Sequence, residues 1–270
     1  VVVRVNTLKT TKEVLTERLQ AEGATVTPAS YAPEGLILKG LGTVETSSSF
    51  QEGLFYVQDE GSQLVSHALR PEPGATVIDA SAAPGGKATH LAQLMADRGT
   101  ILAGDIYPHR LELIKVNCRR LGVRSVQTVL LDARELGCRY PETADYLLID
   151  APCSGLGVLR RRADARWRKE LRQTRELAKI QLEILLGASP ALKPGGILLY
   201  STCSLAPEEN QHVIEQFLAR VKGFKLVAVH LPVIPEDLRA TAEKGWLQFL
   251  PQRHGTDGFF MARLLKVKNS

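Results

Sequence analysis

Gly195-Gly196-Ile197-Leu198-Leu199-Tyr200-Ser201-Thr202-Cys203-Ser204 is a short apolar run that ends in a polar, thiol-bearing cluster. Tyr146-Leu147-Leu148-Ile149-Asp150-Ala151-Pro152-Cys153-Ser154-Gly155 makes the same transition. Continuous apolar strands belong to parallel sheets buried on both faces. In open sheets of that kind, ligands bind outside the carboxyl ends of the strands. The two runs therefore predict two buried strands that present Cys153 and Cys203 at one edge of one sheet.

Outward from these runs, strand and helix alternate. Residues 75–80, 100–105 and 126–131 read as strands, and 224–229 and 259–265 as late strands. Residues 86–96, 108–121, 175–191 and 207–221 read as helices. Pro108 suits a first helical turn, and Gly122 lies just past the last. Such alternation predicts an α/β fold with a doubly wound sheet.

Residues 1–55 read as a small α+β module apart from the main domain, 56–270. Residues 1–5, 24–28 and 36–39 are β-rich. Thr10-x-x-Glu13 fits a capping box. Val14, Leu15, Leu19 and Ala21 form an apolar helical stripe that Gly23 stops. A small βαβ-type sheet is expected. It buries little by itself, so it should dock on the main domain. A connector then leads to a helix opened by Gln58-Asp59-Glu60, whose acidic residues suit a helix N-terminus. Pro71 and Pro73 end it.

With 44% apolar and 23% charged residues, the composition is that of an ordinary globular chain rather than a disordered one. No apolar run approaches the roughly 20 residues a membrane span needs, and the start carries no signal-peptide pattern. A chain that begins inside an apolar run without an initiator Met is expected to be trimmed. The four cysteines form no C-x-x-C pair. Reduced thiols, no structural zinc and a cytoplasmic location are expected, as is a monomer. The net charge of +5 leans towards a polyanionic partner.

Asp79-Ala80-Ser81-Ala82-Ala83-Pro84-Gly85-Gly86-Lys87 joins the first main strand to the first main helix. Small residues let the backbone approach a ligand, and free amides at a helix N-terminus bind an anionic group. The stretch is neither G-x-G-x-x-G nor G-x-x-x-x-G-K-[ST], which argues against dinucleotide and nucleotide-triphosphate sites. Its bland alternative is a tight turn with no ligand. Asp105 ends the second strand, about 20 residues beyond Gly85, the spacing of a carboxylate that binds a ribose diol. Asp132 and Asp150 end the next two strands. A lone carboxylate at a strand end is usually a solvated cap, but three successive strands each end in one here. They suit a nucleoside cofactor with its ribose on Asp105 and its adenine amino group near Asp132. S-adenosylmethionine has those parts, with a carboxylate in place of phosphates.

Asp79-x-x-Ala-Ala-Pro-Gly-Gly-Lys87, Asp150-Ala-Pro-Cys-Ser-Gly155, Lys193-Pro-Gly-Gly196, Ser201-Thr-Cys-Ser204 and Pro207-Glu-Glu-Asn210 together resemble the RNA 5-methylcytosine methyltransferases of the NOL/NOP/Sun class. Arg4 to Lys9, Tyr56 to Asp59 and His254 to Phe260 extend the likeness over nearly the whole chain. Within that class the chain is most similar to the bacterial Sun/RsmB branch, which acts on small-subunit (16S) ribosomal RNA. The helical RNA-binding domain common in that branch has no counterpart in these 270 residues. Ser81 stands where the class often has Cys, a change read as neutral.

The resemblance implies a class I, Rossmann-like seven-stranded sheet with an antiparallel hairpin at its end. It maps S-adenosylmethionine binding onto Ser81, Ala82, Ala83, Pro84, Gly85, Gly86, Lys87, Asp105, Asp132 and Asp150. It maps the nucleophile onto Cys203 and an assisting thiol onto Cys153. The chemistry wants such residues. Carbon 5 of cytosine is a poor nucleophile until a thiolate adds at carbon 6, and that thiol must ionise readily in a polar setting. Asp150 is expected to hold the base edge, and Lys87 to reach the base.

Three readings stay open at this level. Pro152-Cys153 resembles the Pro-Cys nucleophile of DNA cytosine methyltransferases, which would exchange the two thiols' roles, but the Thr202-Cys203 strand end and the likeness to the RNA class favour Cys203 as the nucleophile. A lone Cys is often a small buried hydrophobe, which suits Cys118. The Arg160-Arg161-Arg162 run and Trp167, with Arg166, Arg168 and Lys169, fit phosphate contact and base stacking, or a plain solvated face. Arg4, Lys9 and Lys12 are further candidates for RNA contact, and Asn210 is expected to brace a loop. A transfer RNA substrate, a non-catalytic assembly factor and a small-molecule oxidoreductase are the rival functions. Intact Asp150, Cys153 and Cys203 argue against the second, and the absent G-x-G-x-x-G against the third.

Overall fold

The structure is a computed structural model that describes residues 1–160 and 171–268. Its first sheet contains β1 (Val2–Val5), β2 (Thr25–Pro28), β3 (Gly35–Lys39) and β4 (Phe55–Val57), in the order β2-β3-β1-β4. Every neighbouring pair is antiparallel. β1 and β2 run parallel and are joined by helix Lys12–Ala21, so the expected βαβ unit is present, with β3 inserted between its two strands. β4 carries the sheet past residue 55, with Val3 opposite Val57 and Val5 opposite Phe55.

Helix Lys12–Ala21 covers the sheet. Its N-cap is Thr11, not Thr10. The extended Thr11 backbone lets its side chain accept from the Val14 amide. Leu15 and Leu19 are buried against Val3, Val5, Leu36 and Phe55, while Val14 is exposed. The inward stripe is therefore narrower than the sequence pattern.

The second sheet holds β5 (Thr76–Asp79), β6 (Thr100–Asp105), β7 (Val126–Leu130), β8 (Ala144–Asp150), β9 (Leu192–Thr202), β10 (Phe224–Leu226), β11 (Trp246–Phe249) and β12 (Phe259–Lys266). Its order is β10-β12-β9-β8-β5-β6-β7. β5 to β9 pair in parallel, and β12 runs antiparallel to β9. β10 and β11 both pair with β12, at different stretches. β11 is the strand of this sheet that sequence reading misses.

Successive residues of the central strands face opposite sides, as a two-faced buried sheet requires. Val77, Leu148 and Leu199 pack with helices Glu60–Leu69, Gly86–Leu94 and Pro108–Leu121. Ile78, Leu147, Ile149 and Leu198 pack with helices Leu171–Ala188 and Gln211–Arg220. The single helix expected over 207–221 is interrupted. A 3₁₀ turn, Pro207–Glu209, precedes Asn210, whose φ of −114° and ψ of −102° are not helical. No helix among the described residues is long and apolar enough to cross a membrane.

Buried polar contacts join the two sheets. The fully buried Arg4 of β1 donates to Gln58, to the Gly86 carbonyl at 2.6 Å and to Thr89 Oγ1 at 3.0 Å. Asn6 donates to the carbonyls of Gly53 at 2.7 Å and Leu121 at 2.8 Å. Glu60 accepts from the amides of Tyr31 and Ala32. Arg4 is thus spent inside the protein, where burial lowers its pKa to about 9.

Candidate active site

The carboxyl ends of β5, β8 and β9 converge on one small volume, bringing together Asp79, Asp150 and, one residue past β9, Cys203. The Cys153 and Cys203 sulfurs are 3.3 Å apart. The Lys87 ammonium donates to Asp150 Oδ2 at 2.6 Å. Ser201 donates to Asp150 Oδ1 at 2.7 Å, and Ser81 donates to the Asp150 carbonyl at 2.6 Å. Lys87 also lies over the Phe259 ring, 5.3 Å from its centroid. Five of the expected site residues therefore meet here in two bonded sets, Ser81, Lys87 and Asp150 in one and Cys153 and Cys203 in the other.

The two thiols are not equivalent. The hydrogen bond from Cys153 lowers the pKa of Cys203, against burial and the Asp150 charge, and the Lys87 ammonium acts in the same lowering direction. The same hydrogen bond, with burial, pushes Cys153 well above the ordinary thiol value. Either sulfur can donate across this contact, and the Lys87 ammonium favours the thiolate on Cys203. Cys118 behaves as expected of a buried hydrophobe, with its pKa raised to about 11 by burial.

One carboxylate aligns both thiol turns. The fully buried Glu209 accepts from the Ser154 amide at 2.8 Å, from Ser154 Oγ at 2.5 Å and from Ser204 Oγ. Gln181 of helix Leu171–Ala188 also donates to it, at 3.1 Å. Ser154 and Ser204 each follow a cysteine. Asn210 braces the same region. It accepts from Thr202 Oγ1 at 2.6 Å and donates to the Ser204 carbonyl at 3.0 Å. These bonds hold Asn210 out of the helix and explain the break at that residue.

Beside the thiols lies a cleft of about 230 Å³, floored by Asp79, Ser81 to Pro84, Gly86 and Lys87 and walled by Tyr56 and Gln58. At its base Gly85 has φ of +102°, and a Cβ there would meet the Ile114 Cα at 3.3 Å. Only glycine fits this turn without strain. No side chain caps the N-terminus of helix Gly86–Leu94, so its amides are available to an anion. Asp79 is wholly buried and Oδ2 has no hydrogen-bond partner among the described residues. Burial, then the Asp150 charge, raises its pKa to about 7. A compact cradle with open amides and an orphaned acceptor fits the amino-acid end of S-adenosylmethionine.

The remaining strand-end carboxylates are engaged differently. Asp105 is buried, pairs with Arg110 at 3.2 Å and accepts from the Tyr107 amide at 3.0 Å. Asp132 caps the turn that follows β7 and pairs with Arg134 at 2.6 Å, which lowers its pKa. Arg160 is braced between acids. It donates to Asp257 at 2.5 Å, to Asp59 at 3.3 Å and to the Gly255 carbonyl at 2.8 Å. Arg161, Arg162 and Trp167 lie outside the described residues.

Sequence reading did not single out three residues of this site. Asp79 ends a strand just as Asp105 and Asp150 do, so the same rule would have found it. Tyr56 enters from β4 and Glu209 from a turn beyond β9. Both lie inside motifs that carry the resemblance, but a motif does not say what its side chains touch, and Ser154 and Gln181 reach Glu209 from far along the chain.

A family model described as 16S rRNA methyltransferase RsmB/F matches residues 66–265, and one for the RsmF/B-like ferredoxin-like domain matches residues 1–45. A probable ribosomal RNA small subunit methyltransferase B of Bacillus subtilis is 40% identical over 97% of this chain and 59% of its own length. Ribosomal RNA small subunit methyltransferase F of Cronobacter sakazakii is 36% identical over 98% of this chain and 56% of its own length. The chain thus spans less than two thirds of these relatives. The crystal structure of NSun6 from Pyrococcus horikoshii with SFG is 28% identical, covers 99% of this chain and 91% of that one, and superposes with a TM-score of 0.88. The sheet order is that of the Rossmann-like class I methyltransferases. On these grounds the chain belongs to the RsmB/F family of 16S rRNA methyltransferases, an S-adenosylmethionine-dependent family.

Proposed function

We propose that this chain carries the catalytic part of an S-adenosylmethionine-dependent RNA cytosine-C5 methyltransferase acting on small-subunit ribosomal RNA in the cytoplasm. The observation that carries the reading is the 3.3 Å contact between Cys153 and Cys203 beside the Lys87–Asp150 pair and the glycine cradle. S-adenosylmethionine supplies an electrophilic methyl group, and the cradle from Ser81 to Lys87 holds its amino-acid end.

The chain's own groups do the rest. A base stacked in a duplex is out of reach, so the target cytosine is unpaired or flipped. The Cys203 thiolate adds to carbon 6, and its electron pair activates carbon 5 towards the methyl group. Asp150, fixed by Lys87 and Ser201, accepts from the polar edge of the base. After transfer the carbon 5 proton leaves to a base and the carbon 6–sulfur bond breaks, returning its electron pair to Cys203. Cys153, in contact with Cys203, assists that release.

The test uses wild type, Cys203→Ala and Cys153→Ala with S-adenosylmethionine and unmodified ribosomal RNA. Expected are methylation by wild type, a denaturation-resistant protein–RNA adduct with Cys153→Ala, and neither with Cys203→Ala. Reversal of the two variants exchanges the thiols' roles. Methylation of transfer RNA in preference to ribosomal RNA overturns the substrate. An RNA-binding protein with no turnover on either RNA overturns the enzyme reading.

A further inference from the structure

Away from the cleft, three metal-ligating side chains meet where the first sheet docks on the main domain. Glu34 precedes β3, His67 lies on helix Glu60–Leu69 and His90 on helix Gly86–Leu94. One ligand atom from each lies within 4.8 Å of the others. We propose that Glu34, His67 and His90 form a binding site for a single zinc-class divalent ion that fastens the N-terminal module to the methyltransferase sheet.

Two independent observations carry this. The first is geometry. Zinc with nitrogen and oxygen ligands at about 2.0–2.2 Å in a tetrahedron sets those ligands about 3.3 Å apart. Glu34 Oε2 lies 2.9 Å from His67 Nε2 and 3.9 Å from His90 Nε2, on either side of that spacing. The imidazole rings stand edge to face, with centroids 5.2 Å apart. The second observation is that His90 is wholly buried and neither ring nitrogen has a hydrogen-bond partner among the described residues. Buried polar atoms are rarely left so, because an unmade bond costs stability. An ion would satisfy one of them.

The donor set also suits the ion. Two imidazoles and one carboxylate leave a fourth position for water. His67 also lines an open cleft of about 770 Å³. The Glu34 carbonyl accepts from the Val5 amide at 2.9 Å, which holds that ligand's backbone in place. Cysteine spacing is blind to such a site, and the sequence expectation of no structural zinc rested on it.

The test strips the protein with a chelator, dialyses it against zinc and measures bound metal by elemental analysis. One zinc per folded wild-type chain is expected, with at least tenfold weaker binding by His67→Gln and by Glu34→Gln. Zinc should raise the Tm of wild type and leave that of both variants unmoved. The thiol pair is a competing site, so Cys153→Ser/Cys203→Ser should retain the ion. Cobalt in place of zinc should give a tetrahedral visible spectrum without a thiolate charge-transfer band. No retained zinc on folded wild type, undiminished zinc on both ligand variants, or zinc lost with the cysteines would each overturn the proposal.

Discussion

The hydroxyls of Ser154 and Ser204 stand 3.0 Å apart and share the Glu209 carboxylate. Each belongs to the residue after a cysteine, so this contact sets the spacing of the two thiols. The strand ends alone fix backbone position; the shared carboxylate fixes how the two turns face each other.

Glu209→Gln is expected to loosen both turns together. A buried carboxylate with several donors becomes an amide with one acceptor oxygen, and a hydroxyl loses its partner. The cost is about 1–3 kcal/mol. Thermal denaturation should show the lower stability, and thiol alkylation should show Cys203 reacting more slowly. Stability lost with unchanged Cys203 reactivity would reduce Glu209 to a packing role.

The pH dependence of Cys203 depends on Cys153. With the Cys153 thiol donating to it, Cys203 ionises below the ordinary thiol value. Its reactivity towards iodoacetamide should rise with pH through a midpoint below the ordinary thiol value of about 8.5. In Cys153→Ala that hydrogen bond is gone and the midpoint should move up. A midpoint that stays in place would show that Lys87, not Cys153, sets the thiolate.

Asp79 should make the protein less stable as pH rises. Its folded pKa is about 7, against an ordinary aspartate value of 3.8. Between those values the folded chain keeps a proton that the unfolded chain has shed. Stability therefore falls on the order of 1 kcal/mol per pH unit and levels off above pH 7. Asp79→Asn should flatten this slope. Urea midpoints from pH 4 to pH 8 measure both proteins, and equal slopes would remove Asp79 as the cause.

Gly85→Ala should cost on the order of 1–3 kcal/mol, because φ of +102° strains any side chain. The added Cβ also presses on Ile114, which moves the cradle. Calorimetry with S-adenosylmethionine should show weaker binding at temperatures where the variant stays folded. Unchanged affinity would place the cofactor elsewhere.

Much of this is legible in the sequence. The apolar runs of β8 and β9, the strand-ending Asp105 and Asp150, and the small-residue turn before Lys87 are local patterns with local causes. Helix Pro108–Leu121 was bounded correctly because Pro108 and Gly122 act within one turn of it. Elsewhere local rules lost to distant partners. Asn210 fits a continuous helix by composition, yet Thr202 and the Ser204 carbonyl hold it out. Arg160 fits a phosphate-binding run, yet Asp59 and Asp257 claim it.

By itself the sequence determined a parallel, doubly wound sheet and put carboxylates and thiols at its carboxyl edge. Hydrophobic period and strand termination act within a few residues, so they can be read along a line. Only the tertiary structure decided that Cys153 meets Cys203, that Glu209 yokes the turns, and that Glu34 reaches His67 and His90. Those partners are 50, 55 and 33 residues apart for Cys153–Cys203, Ser154–Glu209 and Glu34–His67. Contacts at such separations exist only once buried strands and helices have packed, and packing, unlike periodicity, leaves no trace in the order of neighbouring residues.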